Sequence, residues 1–229
     1  MKSPLKIFRK SLFLKVFALS AVVSIALIYV LGSTLYNRIS AGIIREKVNS
    51  SVTEGSSLIT YAEYRFAFSA LDPKVKIGEV TKEIVQSTKI KSEEAGRDIA
   101  LININGVKKN GIDIETTSNF LQVSSIPIDL RKKVRDSLDI VTERGTLSYV
   151  NGVRSDGIFV GKRISIPKCG DYEIYIAYDF RSQQQTIDLI GSAVLATGII
   201  LVLLLMITIL LVLRRDRKST RLNSSHSSV

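Results

Sequence analysis

Residues 189–213 read LIGSAVLATGIILVLLLMITILLVL, 25 residues without a charge. A helix rising about 1.5 Å per residue needs roughly 20 apolar residues to cross about 30 Å of hydrocarbon, so this run is long enough. From Ile199 to Leu213 it is apolar on every face apart from Thr208, which leaves a soluble helix no polar side to turn to water. A second charge-free run, the 22 residues Val16–Asn37, lies near the N-terminus. A cleaved signal peptide would carry an apolar stretch of about 7–15 residues and then a small-residue cleavage site. Here the run continues through Ile25-Ala26-Leu27-Ile28-Tyr29-Val30-Leu31 without a clear A-x-A beyond it, which predicts an uncleaved signal anchor. Two transmembrane helices, 16–37 and 189–213, are therefore expected.

Charge orients them. The 229-residue chain carries 32 Lys+Arg and 21 Asp+Glu, a net charge of +11, beside 45% hydrophobic residues. Residues 1–15 hold five basic residues (Lys2, Lys6, Arg9, Lys10, Lys15) and no acid, and residues 214–229 hold five basic and one acidic. Residues 38–188 hold 22 and 20, close to balance. Basic excess on the outer flank of each span places both termini in the cytoplasm and residues 38–188 outside it, in the plasma membrane of a cell. Because the excess is juxtamembrane rather than gathered on one folded face, the expected partner is the lipid bilayer and not nucleic acid.

The segment between the spans reads as one folded domain. Ile39, Ile43, Ile44, Val48 and Val52 recur at the spacing of one helix face, with Ile59, Ala62 and Phe66 as later members. Asp72-Pro73 is expected to break this helix and open another, carrying Val80, Ile84 and Val85 and ending at Gly96. The period then changes. Ile99–Ile104 predicts a strand bounded by Asn105-Gly106, with a second turn at Asn110-Gly111. Ile128–Ile140 predicts a short helix with Leu130, Val134 and Leu138 along one side. Three further strands are expected at Thr146–Val150, Ile158–Ile166 and Tyr172–Tyr178, separated by Asn151-Gly152, Ser155-Asp156-Gly157 and Lys168–Asp171. In the last, Tyr172, Ile174, Ile176 and Tyr178 share one face, while Glu173 and Tyr175 share the other. Short connections imply antiparallel pairing. The expected fold class is α/β: two transmembrane helices flanking a PAS-like or PDC-like extracytoplasmic domain with an antiparallel sheet, named by analogy. The last strand is expected to run on through Asp179–Gln185 almost directly into the second span.

Motifs for chemistry are absent. There is no G-x-x-x-x-G-K-[ST], no G-x-G-x-x-G and no H-E-x-x-H, so no catalytic, cofactor-binding or metal-ligating residue is assigned. A single Cys, Cys169, excludes an internal disulfide framework and a Cys-based zinc site, and a single His, His226, excludes a His-cluster metal site. Glu93-Glu94 and Asp98, set among Lys89, Lys91 and Arg97, read as a solvated charged face rather than a metal site. The basic run Arg131-Lys132-Lys133-Arg135 reads the same way, the alternative being a site for an anion or acidic envelope polymer. Tyr172, Tyr175 and Tyr178 are expected in a sheet core or partner surface rather than a ligand pocket. Cys169 is read as an incidental thiol in a turn. Small residues in the outer half of the second span (Gly191, Ser192, Ala193, Ala196, Thr197, Gly198) would let helix backbones approach closely.

Several segments together resemble the N-terminal sensory region of MtrB-type actinobacterial sensor histidine kinases. They are Arg9-Lys10-Ser11-Leu12-Phe13-Leu14-Lys15-Val16, Ile126-Pro127-Ile128-Asp129-Leu130-Arg131, Asp171-Tyr172-Glu173-Ile174-Tyr175 and Gln184-Gln185-Thr186-Ile187. The aliphatic run ending at Arg214-Arg215 continues the likeness, which covers roughly residues 5–215. The resemblance implies a membrane sensor of a two-component phosphorelay and a homodimer. It also implies a cytoplasmic HAMP linker, a His-bearing helix pair and a kinase domain using ATP and Mg, acting on a response regulator. It places all of these beyond this chain, whose own cofactors are expected to be none. The stimulus, an envelope ligand or protein, is left open.

The stretch Asp216–His226 resembles the in-frame translation of a sequencing-library adapter, so residues 216–229 are expected to be adapter-derived and His226 is no phosphoacceptor. Two other readings stand beside the kinase input module: the input module of another two-span receptor, such as a chemoreceptor or cyclic-dinucleotide enzyme, and a complete bitopic envelope protein.

Overall fold

The computed structural model describes residues 12–223 apart from 73, 109, 119 and 120, and for 12–17, 87–95, 210 and 212–223 the backbone alone. The basic residues before Leu12, Pro73 and His226 lie outside it. The chain divides into two units, residues 1–41 with 187–229, and residues 42–186.

In the first unit two helices are long and apolar enough to cross a membrane. They belong to α1 (Leu12–Ser69) and α4 (Arg181–Asn223). Their side chains there face outward: Leu19, Leu31, Leu195 and Leu203 are all more than half exposed, as apolar residues in contact with lipid would be. The small residues of the second span set its approach to the first. A Cβ at Gly191 would stand 3.0 Å from the Tyr36 ring, and one at Gly198 would stand 3.5 Å from Ile28.

In the second unit the remainder of α1 is followed by α2 (Ile77–Ala95), β1 (Arg97–Asn103), β2 (Glu115–Thr117) and α3 (Ile128–Asp136). Then come β3 (Val141–Ser148), β4 (Arg154–Ile166) and β5 (Gly170–Asp179). The sheet order is β2-β1-β5-β4-β3, antiparallel throughout, with β5 at its centre. This is the α/β arrangement expected, an antiparallel sheet in a domain that lies in sequence between two long apolar helices. Ile59, Ala62 and Phe66 of α1 and Val80 and Ile84 of α2 pack on one face, against Tyr172, Ile174, Ile176 and Tyr178. The other face is covered by Leu130 and Val134 of α3, against Phe159, Tyr175 and Ala177. The alternation along β5 matches the sequence pattern residue for residue.

Several boundaries differ from expectation, each for a local reason. Asp72 does not cap a helix. Its side chain accepts from the Lys74 amide at 2.9 Å, closing a turn, and α2 begins at Ile77. Gly96, at φ +56°, ends α2 as expected. The helix predicted to reach Ile140 stops at Asp136, because Ser137 turns extended and its hydroxyl accepts from the Asp139 amide. Leu138 is left exposed. The strand expected at Thr146–Val150 is β3, five residues earlier at its start. The supposed turn Ser155-Asp156-Gly157 lies inside β4, where Gly157 opposes Gly145 on one side and Asp179 on the other. A Cβ at Gly157 would overlap the Tyr178 carbonyl, so close backbone approach and not a turn explains this glycine. Finally, Arg181–Gln185 is helical rather than an extension of β5.

Candidate functional site

Central strand β5 joins two polar regions of the domain. At its start, the β4–β5 turn meets the α1–α2 connection and the loop at Asn110-Gly111 around an open groove of about 560 Å³. Lys76, Lys82 and Lys168 line it together with Asp72 and Glu79, and Lys76 stands 3.7 Å from Glu79. Among the described residues, the two non-glycine residues with positive φ both sit on its rim, Asn110 (47°) and Lys168 (62°). Asn110 Nδ2 donates to the Lys168 carbonyl at 3.0 Å, which pins the loop to the turn. Cys169, next to it, is buried and lies 3.6 Å from the Asn110 amide, so it is not an accessible thiol.

At the other end of β5, one residue, Phe180, separates the strand from α4. Arg181 holds Asp179 through Nε and Nη2 at 2.8 and 2.5 Å, and its guanidinium lies 5.6 Å from the Tyr149 ring. The Tyr149 hydroxyl donates to Asp98 Oδ2 at 2.8 Å, and Ser118 donates to Asp98 Oδ1 at 3.0 Å. Arg97, the neighbour of Asp98 on β1, points to the opposite face and pairs with Glu54 of α1. Burial, then the Asp98 charge, pushes the Tyr149 hydroxyl well above its usual range. Arg97 and Asp98 are thus both buried, each with its own partners on its own face, not the solvated face expected of them. The side chains of Lys89, Lys91, Glu93 and Glu94 lie outside the described residues.

In the basic run 131–135, Lys132, Lys133 and Arg135 are exposed, as expected of a solvated face, but its two arginines also have a buried partner. Arg131 and Arg135 stand four residues apart on α3 and both turn inward to Glu173, whose side chain is fully buried. Arg131 Nε donates at 3.0 Å to Oε2, Arg135 Nε at 2.5 Å to Oε1, and the Tyr175 hydroxyl at 2.8 Å to Oε2. Lys133 pairs with Glu143 of β3 at 3.0 Å. Burial alone would raise the Glu173 pKa, but these donors outweigh it and hold the carboxyl below its ordinary value. Sequence reading missed this cluster, because Glu173 lies about 40 positions from its arginine partners. The one available signal was an acid in the middle of an otherwise apolar strand. No group of His, Cys, Asp and Glu suited to a metal occurs among the described residues.

No family model matches the chain, and no curated protein matches it. Among solved structures it is similar to the ligand-binding domain of the Campylobacter jejuni chemoreceptor Tlp3. In the complex of that domain with 4-methylisoleucine, identity is 10%, 78% of this chain and 64% of that chain are covered, and the TM-score is 0.40. In its complex with L-valine the figures are 11%, 72%, 66% and 0.41. A sensory box histidine kinase/response regulator of Burkholderia thailandensis is similar at 12% identity over 45% of this chain and 92% of that one, with a TM-score of 0.25. The chain spans just under two thirds of the chemoreceptor domains. At these identities the likenesses define no family.

Proposed function

We propose that the chain is the sensory input module of a two-span membrane receptor, and within that class the input module of an MtrB-type sensor histidine kinase. One observation carries the reading. Strand β5 begins at the groove and ends one residue before α4, which contains the second apolar span. A shift of that strand has no loop in which to dissipate before it reaches the span. A signal must still bind one of two arrangements better than the other, since equal affinity shifts nothing. The basic flanks support cytoplasmic termini with residues 38–188 outside, and the module would act as a homodimer. ATP, Mg and the response regulator would be used by a kinase region beyond Arg215, and the stimulus would be an envelope ligand or protein.

Joining residues 1–215 to the HAMP, dimerisation and ATP-binding regions of a characterised sensor kinase tests the proposal. Autophosphorylation in membranes should change when Arg181 is replaced by Ala. An unchanged output in a folded Arg181→Ala chimera would count against transmission through this junction. The kinase assignment also takes Asp216–Val229 as adapter-derived. Resequencing the locus should find a HAMP-like helix, a His-bearing helix and an ATP-binding domain after Arg215. A different output domain there would select the other receptor class, and a native stop codon would select a stand-alone envelope protein.

A further inference from the structure

We propose that Glu173 is a tethered ligand, its carboxylate filling a carboxylate-binding clamp that Arg131, Arg135 and Tyr175 build between α3 and the sheet. This goes beyond the receptor reading and does not depend on it. The clamp has the features of a site for a free carboxylate. Arg131 approaches with Nε 3.0 Å from Oε2 and Nη2 3.5 Å from Oε1, a fork across both oxygens. Arg135 and the Tyr175 hydroxyl complete the coordination from two other directions. The backbone that carries each donor is positioned by contacts other than the carboxylate. Leu130 and Val134, fully buried, seat α3 on the sheet, and Arg163 of β4 donates to the Arg135 carbonyl at 2.8 Å. Tyr175 is held by the β1–β5 and β4–β5 ladders, opposite Ala100 and Gly161.

Two consequences follow. The α3 face of the sheet is already occupied, so it needs no external molecule to hold α3 in place. A small external carboxylate has no access to these donors while Glu173 fills the clamp.

Replacing Glu173 with Ala removes two carbons and two oxygens, the heavy atoms of acetate, and leaves the clamp open. In the full 229-residue chain in lipid nanodiscs, Glu173→Ala should lower the unfolding temperature by about 10 °C. Acetate at tens of millimolar should restore at least half of that loss, while acetamide and sodium chloride at equal concentration should not. The wild-type chain should not respond to acetate, and adding Arg131→Met to Glu173→Ala should abolish the rescue. Should Glu173→Ala not fold, its refolding yield should depend on acetate in the same way. Absence of any acetate dependence, equal rescue by chloride, or an equal response of the wild type would overturn the proposal.

Discussion

Arg181 and Asp179 are joined side chain to side chain across the single residue that separates β5 from α4, with both Nε and Nη2 on Oδ2. Asp179 is buried and Arg181 half exposed. Removing the arginine strands a buried carboxylate, whereas Asp179→Asn removes the charge and keeps the shape. Arg181→Ala should therefore destabilise the domain by about 1–2 kcal/mol, discounted for the solvent around the guanidinium, and Asp179→Asn by less. Urea unfolding of both variants in nanodiscs measures the difference. Equal losses would show that the charge does not matter at this junction.

Glycines at two positions should respond to Ala with opposite sign. A Cβ at Gly161 would lie 2.6 Å from the Tyr175 ring and 3.0 Å from Val134, in the tightly packed layer under α3. Gly161→Ala should cost about 1–3 kcal/mol by overpacking. Gly42, inside α1, has nothing within 4 Å of its added Cβ, so Gly42→Ala should stabilise by up to about 1 kcal/mol through helix propensity. Unfolding midpoints of the two variants, compared with the wild type, check both directions. A neutral Gly161→Ala would mean that Tyr175 and α3 are free to give way.

Much of this fold is written in local periodicity. The face of α1 that packs on the sheet follows Ile44, Val48, Val52, Ile59, Ala62 and Phe66, and the two faces of β5 follow strict alternation. What local pattern could not show was pairing. Val141–Gly145 shows no apolar alternation, because β3 is an edge strand exposed at Thr142 and Arg144, and the expected strand began only at Thr146. Ser155-Asp156-Gly157 has turn composition but sits where two neighbouring strands crowd the backbone. The polar clusters were invisible for the same reason. Nothing near Arg131 announces that α3 will dock over Glu173, and nothing near Asp98 announces Tyr149, 51 positions away.

The buried carboxylate also sets an acid limit. Arg131, Arg135 and Tyr175 hold the Glu173 pKa below its ordinary value of 4.5. A carboxyl depressed in the folded state contributes stability that is fully present above its unfolded value and is lost as pH falls through the folded one. The wild type should thus shed this contribution only as pH drops below about 4.5. At neutral pH, Glu173→Gln should cost about 2–3 kcal/mol, the low end for a broken buried pair because both guanidiniums reach solvent. The gap between wild type and variant should close as pH falls. Urea midpoints from pH 3 to 7 test this, and a gap that widens in acid would reverse the assignment of Glu173 as the ionised partner.

Cys169 provides a test of topology through its silence. The thiol is buried in the β4–β5 turn, against the Asn110 amide, so a membrane-impermeant maleimide should not label it in intact cells. Reactivity should appear only on unfolding, because the turn is packed into the core that also holds Tyr172 and Ile166. That silence makes the native chain a clean background. Asn151 lies exposed in the turn before β4, so Asn151→Cys should label from outside if residues 38–188 are extracytoplasmic. Ser3→Cys, among the basic residues ahead of the first span, should label only after the membrane is permeabilised. Labelling of both before permeabilisation would place the N-terminus outside. That would leave the N-terminal basic flank, five residues with no acid, on the wrong side for a two-span protein with cytoplasmic ends.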